Sequence, residues 1–313
     1  VRSHWHSRPF KSTKNSTKHE FSASTRSTKI MSNVDDVLGL TSQAPCQDAV
    51  DFTGYDLKGI SLNGVTFIFA TLKDVNFDEC ELVGVNFSKA DLGKATFRNS
   101  KLKDVSFSNV QMQESDFENA TLVNCNFENA GLEQSNFSNF IAKNCNFKGA
   151  NLSFSNLYSS NIEDCDFSFS RMMYSNLKQV VIDKSNLSGC NARGADLSFS
   201  NISDAKIKGA NLKHVDLNSC SMKDVDLTLS NMLGVEFKDA VCPRIKMEEV
   251  NLEGADLTYA SLEGANLQNA FFLEANLHGT NLTSANLKDA FFVDANTHNI
   301  KTKGANLENT GLT

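Results

Sequence analysis

Three cysteines, Cys125, Cys145 and Cys165, stand twenty residues apart. Thiols that share one place in a fold can ligate a soft metal or exchange disulfides. His278 and His298 are separated by the same interval, and two stacked imidazoles are half of a metal site. Neither set has the partners that its chemistry needs. No histidine shares the register of the cysteines, and buried thiolates would be costly there. Two histidines alone make a poor site. The sequence contains no CxxC, no HExxH, no glycine-rich phosphate loop and no nucleophile-base arrangement. The cysteine column therefore reads as small apolar residues in a dry core, and the histidines read as surface groups. No catalytic residue, metal ligand or cofactor is assigned, and the chain reads as non-enzymatic.

The element that must position these residues is a repeat. From Phe52 in steps of five, the frame runs through Leu57, Leu62, Phe67 and Leu72 to Leu307 and Leu312 with no insertion. Of its 53 centres, 48 are Leu, Phe, Met or Ile; the others are Ala142, Ala192, Cys242, Thr297 and Thr302. Two residues before the centre, 46 of 53 positions hold Ala, Val, Ser or Cys, and the residue between is Asn or Asp in 30 of 53. Small-polar-large is an in-out-in pattern, the period-two mark of a short extended stretch. The next two residues are polar or glycine, which suits a corner, and 13 of the 17 glycines fall two residues after a centre. No 3.6-residue period survives, so the body is not helical.

The number of sides follows from longer intervals. Ala270-Phe271-Phe272 recurs as Ala290-Phe291-Phe292, and the three cysteines share that interval. Four five-residue sides per coil place Phe above Phe on two opposite sides. Units such as Ala90-Asp91-Leu92-Gly93-Lys94 and Ala265-Asn266-Leu267-Gln268-Asn269 resemble the pentapeptide-repeat family over roughly residues 50–313. The resemblance implies an all-β, right-handed quadrilateral β-helix of about 13 coils, close to 60 Å long at the ~4.8 Å strand spacing. Phe140 in a small slot beside Ala142 at a centre reads as volume compensation. Pro243 lacks a donor and Ile245 is bulky for its slot, which predicts a distortion at residues 242–245.

Residues 1–31 are a basic, Ser/Thr-rich segment expected to be disordered. Residues 32–49 are expected to cap the first coil with a short helix started at Ser32 or Asn33. Residues 50–313 form the repeat body. Its net charge is −10 against +3 for residues 1–49, which argues against direct nucleic-acid binding through phosphates. No apolar run is long enough to span a membrane. Six of the eight cysteines take small inward slots, consistent with a reducing, cytoplasmic setting. An organelle is the alternative if residues 1–31 are a transit peptide.

Outward slots are mostly polar, and two clusters break the rule. Phe271, Leu273, Phe291 and Val293 fall on one side of two stacked coils. Phe154, Met173 and Tyr174 form a second group, with Phe169 and Phe199 near it. Both are candidate contact surfaces for a protein partner. The first lies near the end of the repeat, where a homodimer could form end to end. The function expected is a scaffold that presents rigid flat faces to other proteins. The alternative, implied by the family resemblance, is a duplex-DNA mimic that inhibits or protects a type II topoisomerase or another DNA-binding protein. A continuous acidic stripe would favour that alternative.

Overall fold

The structure, a computed structural model, describes residues 51–312. The expectations for residues 1–31 and for a helix within 32–49 lie outside the described residues. Within them the fold is an all-β parallel solenoid with no helix. Bridge partners lie twenty residues apart, as in Asp51 with Thr71 and Phe271 with Phe291. Each coil therefore has four five-residue sides. The first wall runs through centres Leu62, Leu82 and Leu102, the second through Phe67 and Phe87, the third through Leu72 and Leu92, and the fourth through Phe77 and Phe97.

One unit shows how the sequence makes a side and a corner. The centre N–H of Phe52 donates to Thr71 O in the next coil at 2.7 Å, and Gly54 N–H donates to Lys73 O at 2.8 Å. Tyr55 N–H then folds back on Phe52 O at 3.0 Å and closes the turn. Thr53 N–H points to its own unit and meets Asp51 Oδ1 at 2.8 Å. This Asx arrangement recurs down the rod, for example from Glu118 to Asp116 and from Glu253 to Asn251. It is why Asn and Asp dominate the outward slot of each side. The residue two after each centre has positive φ throughout, between 50° and 73° within the repeat frame. Glycine suits that slot for this reason.

The interior is filled by the centres and the small slots. Phe67, Phe87, Phe107, Phe127, Phe147 and Phe167 stack in one column, with centroids 4.5 to 5.2 Å apart and planes within 15°. Phe77, Phe97, Phe117 and Phe137 form the opposite column, and the two meet edge to face, as in Phe107–Phe117 at 6.0 Å. Phe140 and Ala142 are both fully buried, with Phe140 packed 5.2 Å from Phe137. Burial of each such centre contributes on the order of 1.5–3 kcal/mol. Several inward serines share one bond. Ser100, Ser155, Ser160 and Ser200 each donate to the centre carbonyl one coil back, at 2.7 to 2.9 Å.

The first wall changes character along its length. Seven parallel strands, β1 (Ser61–Asn63), β2 (Glu81–Val83), β3 (Lys101–Lys103), β4 (Thr121–Val123), β5 (Ile141–Lys143), β6 (Asn161–Glu163) and β7 (Val181–Asp183), pair in sequence order. Through these coils the turn bond to the centre carbonyl is not formed. It reappears at Ala205, Ile245 and Ala265. In the strands the residue after the centre joins the ladder; beyond β7 its N–H turns to the Asx oxygen, as Ser203 N–H does to Asn201.

That change corrects the expectation at residues 242–245. Cys242 N–H donates to Ser261 O at 2.8 Å, Arg244 N–H to Glu263 O at 2.9 Å, and Ile245 is fully buried. The coil is regular. Pro243 occupies the residue after the centre on the turn-type stretch of the wall, the slot whose N–H does not enter the ladder, so its missing donor breaks no ladder bond.

Candidate interaction surface

The cysteine column opens the second wall, just after the first-wall strands that lack the turn bond. That geometry gives the sulfurs a structural task. Cys145 N–H donates to Cys165 Sγ at 3.3 Å, and Cys165 N–H donates to Ser185 Oγ at 3.0 Å. The inward thiol or hydroxyl of one coil thus caps the N–H that the missing turn leaves free in the coil before. Hydrogen bonding couples the three sulfurs, raising Cys125 and Cys165 and lowering Cys145, while burial raises all three. Burial likewise pushes Cys80, Cys190 and Cys220 up to about 12. Raised pKa values at buried Cys80, Cys190 and Cys220 fit a packing role. His278 and His298 stack 5.4 Å apart, with Tyr259 edge-on to His278. Among the described residues, no group of three His, Cys, Asp or Glu is placed to hold a metal ion.

The C-terminal cluster is brought together on the third wall. Phe271 and Phe291 are bridge partners whose rings stack at 5.2 Å and 5°, each about half exposed. Val293 is exposed beside Phe291, and Leu273 is half-buried. Directly behind them Phe272 and Phe292 stack inside the rod at 4.7 Å. The outer pair therefore stands on a rigid inner pair, and both rings are held in register by the ladder.

The central cluster divides. Phe154 and Tyr174 stack at 5.5 Å on the corner between the third and fourth walls, with Met173 half-buried next to them. Phe169 stands at the opposite edge of the third wall, on the corner shared with the second. Phe199 lies one corner further round, after the fourth wall, where Lys178 sits 5.1 Å over its ring. All four aromatics occupy the positive-φ slot, at 56° to 62°, a strained backbone for bulky residues. Two of them lie over a glycine one coil on. A Cβ on Gly189 would meet Phe169 at 2.8 Å, and one on Gly194 would meet Tyr174 at 2.6 Å. Tyr259 over Gly279 repeats the arrangement. Part of each exposed ring is thus engaged with its own rod.

Other surface features escape a reading by fives. Arg171, Arg193 and Lys213 fall on the third wall in successive coils, and Asp196, Asp216, Glu236 and Asp256 form one column on the fourth. Each becomes visible only when outward slots are read down columns of twenty. Arg98 and Arg244 each grip an aspartate one coil away: Arg98 Nε donates to Asp116 at 2.7 Å, and Arg244 Nε and Nη2 donate to the two oxygens of Asp224 at 2.8 and 2.7 Å.

Comparison with known proteins agrees with this geometry. Residues 43–107, 92–153 and 140–217 match the profile described as a pentapeptide repeat region, and residues 206–241, 236–272 and 260–296 match that of pentapeptide repeats (8 copies). No curated protein sequence matches. Similar solved structures include HetL, a pentapeptide repeat protein involved in heterocyst differentiation regulation from the cyanobacterium Nostoc sp. strain PCC 7120. It is 20% identical over 87% of this chain and 96% of its own, with a TM-score of 0.43. A trypsin-treated form of QnrB1, a plasmid-mediated fluoroquinolone resistance protein, is 19% identical over 73% of this chain and 90% of its own, with a TM-score of 0.35. The profile matches extend over most of the chain and coincide with the coils of the ladder: this chain belongs to the pentapeptide-repeat family.

Proposed function

We propose that the protein is a non-catalytic scaffold whose rigid walls present side chains to protein partners. The observation that carries this reading is the Phe271–Phe291 pair. Two stacked rings, half exposed and flanked by Val293, place a contiguous apolar surface where other outward slots are mostly polar. Aromatic anchors on a rigid support suit protein recognition because little ordering entropy is lost on binding. The filled interior supports the non-catalytic part. Among the described residues, centres and small slots pack against each other along the rod, which leaves the interior apolar and without converging polar groups. The test is a pull-down with the full chain and with a Phe271→Ser, Phe291→Ser variant. Loss of retained partners is expected, and identical binding by the variant would remove the basis of the reading.

One observation favours the duplex-mimic alternative. Asp196, Asp216, Glu236 and Asp256 form a four-coil acidic column on the fourth wall. Lys238 stands inside it, 3.1 Å from Asp256 and 3.6 Å from Glu236, and interrupts the negative field. A topoisomerase supercoiling assay separates the readings, since the scaffold reading expects no effect.

A further inference from the structure

The third wall carries a strip unlike the rest of the rod. Its outward residues in the five coils from Asn151 to Gly234 include Arg171, Arg193, Lys213 and His214, and no Asp or Glu. The strip is bounded by Glu133 before it and Glu253 after it. It lies within a body of net charge −10. Bridges from Asn151 to Arg171, Arg171 to Asn191 and Asn191 to Asn211 fix its register. Arg193 stands one coil on from Arg171 and two residues along, which places their Cα atoms on the order of 8 Å apart.

What these arginines lack is a partner. The other two arginines of the described residues, Arg98 and Arg244, each hold an aspartate of an adjacent coil within 2.8 Å. Arg171, Arg193 and Lys213 form no ion pair with any described residue. The nearest acidic column, at Asp196 and Asp216, lies round the corner on the fourth wall. Both arginines are exposed, and the apolar edges of Phe169 and Tyr174 flank Arg171 on either side of the wall.

We propose that this strip docks an acidic, aromatic-containing segment of a partner protein, whose carboxylates take the place at Arg171 and Arg193 that Asp116 and Asp224 take at Arg98 and Arg244. The guanidinium fork matches a carboxylate in two bonds, and the flanking rings accept apolar side chains between the charges. The length argues against a long polyanion. Five coils extend roughly 19 Å, and a nucleic-acid strand continuing past them meets acidic coils on both sides. The proposal rests on the scaffold reading and names one partner chemistry for it.

The test is fluorescence anisotropy with the full chain and a labelled peptide alternating Asp and Phe. About six residues span the strip at ~3.3 Å each. Controls are the same peptide with Asn for Asp and a thymidine oligonucleotide of similar length. Binding of the acidic peptide is expected, weakened about tenfold or more by Arg171→Gln with Arg193→Gln, and left within about twofold by Arg98→Gln with Arg244→Gln. Unchanged melting of both double variants shows that folding is not the cause. Absence of binding, equal binding of the Asn peptide, indifference to Arg171 and Arg193, or tighter binding of the oligonucleotide each overturns the proposal. A rod that ignores the acidic peptide yet captures partners through Phe271 and Phe291 keeps the scaffold reading and ends this one.

Discussion

The ring of Tyr174 lies over Gly194, so that a Cβ on that glycine would stand 2.6 Å from Tyr174 Cδ1. The glycine is needed twice, for its φ of +68° and for the space the ring fills. Gly209 has a similar φ of +65° but nothing within 4 Å of a built Cβ. Gly209→Ala should therefore cost about 1 kcal/mol for backbone strain alone. Gly194→Ala should cost about 2–3 kcal/mol, with the excess recovered in a Tyr174→Ala background. Urea denaturation of the four variants measures this. Equal losses at Gly194 and Gly209 would show that the ring moves aside freely.

Ser170 is fully buried and its hydroxyl has no partner, whereas Ser160 donates to Phe137 O at 2.7 Å. Ala150 and Ala210 occupy the same column as Ser170, so alanine fits there. Ser170→Ala is expected to stabilise by about 1 kcal/mol, and Ser160→Ala to destabilise by a similar amount. Thermal melts of the two variants should move in opposite directions.

Proline scanning reads out the change in the first wall. Asp183 lies in β7 and pairs with Glu163, while Ser203 N–H meets only the Asn201 side chain. Asp183→Pro should cost about 3 kcal/mol or more through the lost ladder bond. Ser203→Pro should be tolerated as Pro243 is. Similar melting temperatures for both would contradict the change of wall type after β7.

Alkaline pH should weaken the rod through its buried thiols. Burial raises the folded pKa of Cys190 to about 12, above the free-thiol value near ~8.5. A raised pKa gives stability that is fully present below the unfolded value and lost as pH climbs toward the folded one. Between pH ~8.5 and ~12 this group should lower stability by up to about 1.4 kcal/mol per pH unit. Cys190→Ala removes that slope, so the gap in urea midpoint between wild type and variant should narrow from pH 8 to pH 10.5 (two readings that bracket the free-thiol value). A constant gap would mean that the thiol ionises equally in both states.

The repeat, its inward slots and its four walls were legible in the residues. In-out-in alternation around Phe67 or Leu72 is a local property of one extended side, and it needs no knowledge of neighbouring coils. The twenty-residue columns, visible in Cys125–Cys145–Cys165 and in the two Ala-Phe-Phe units, then set the number of sides. The tertiary structure decided what depends on contacts between coils. Pro243 is harmless because the wall on which it lies has left strand pairing, and the residues on either side of it do not encode that change. Phe169 and Tyr174 rest on glycines one coil on, while Arg171 and Arg193 form no ion pair with any described residue. A hydrogen bond or an ion pair across twenty residues is set by the stacked surface, which exists only once the coils are closed.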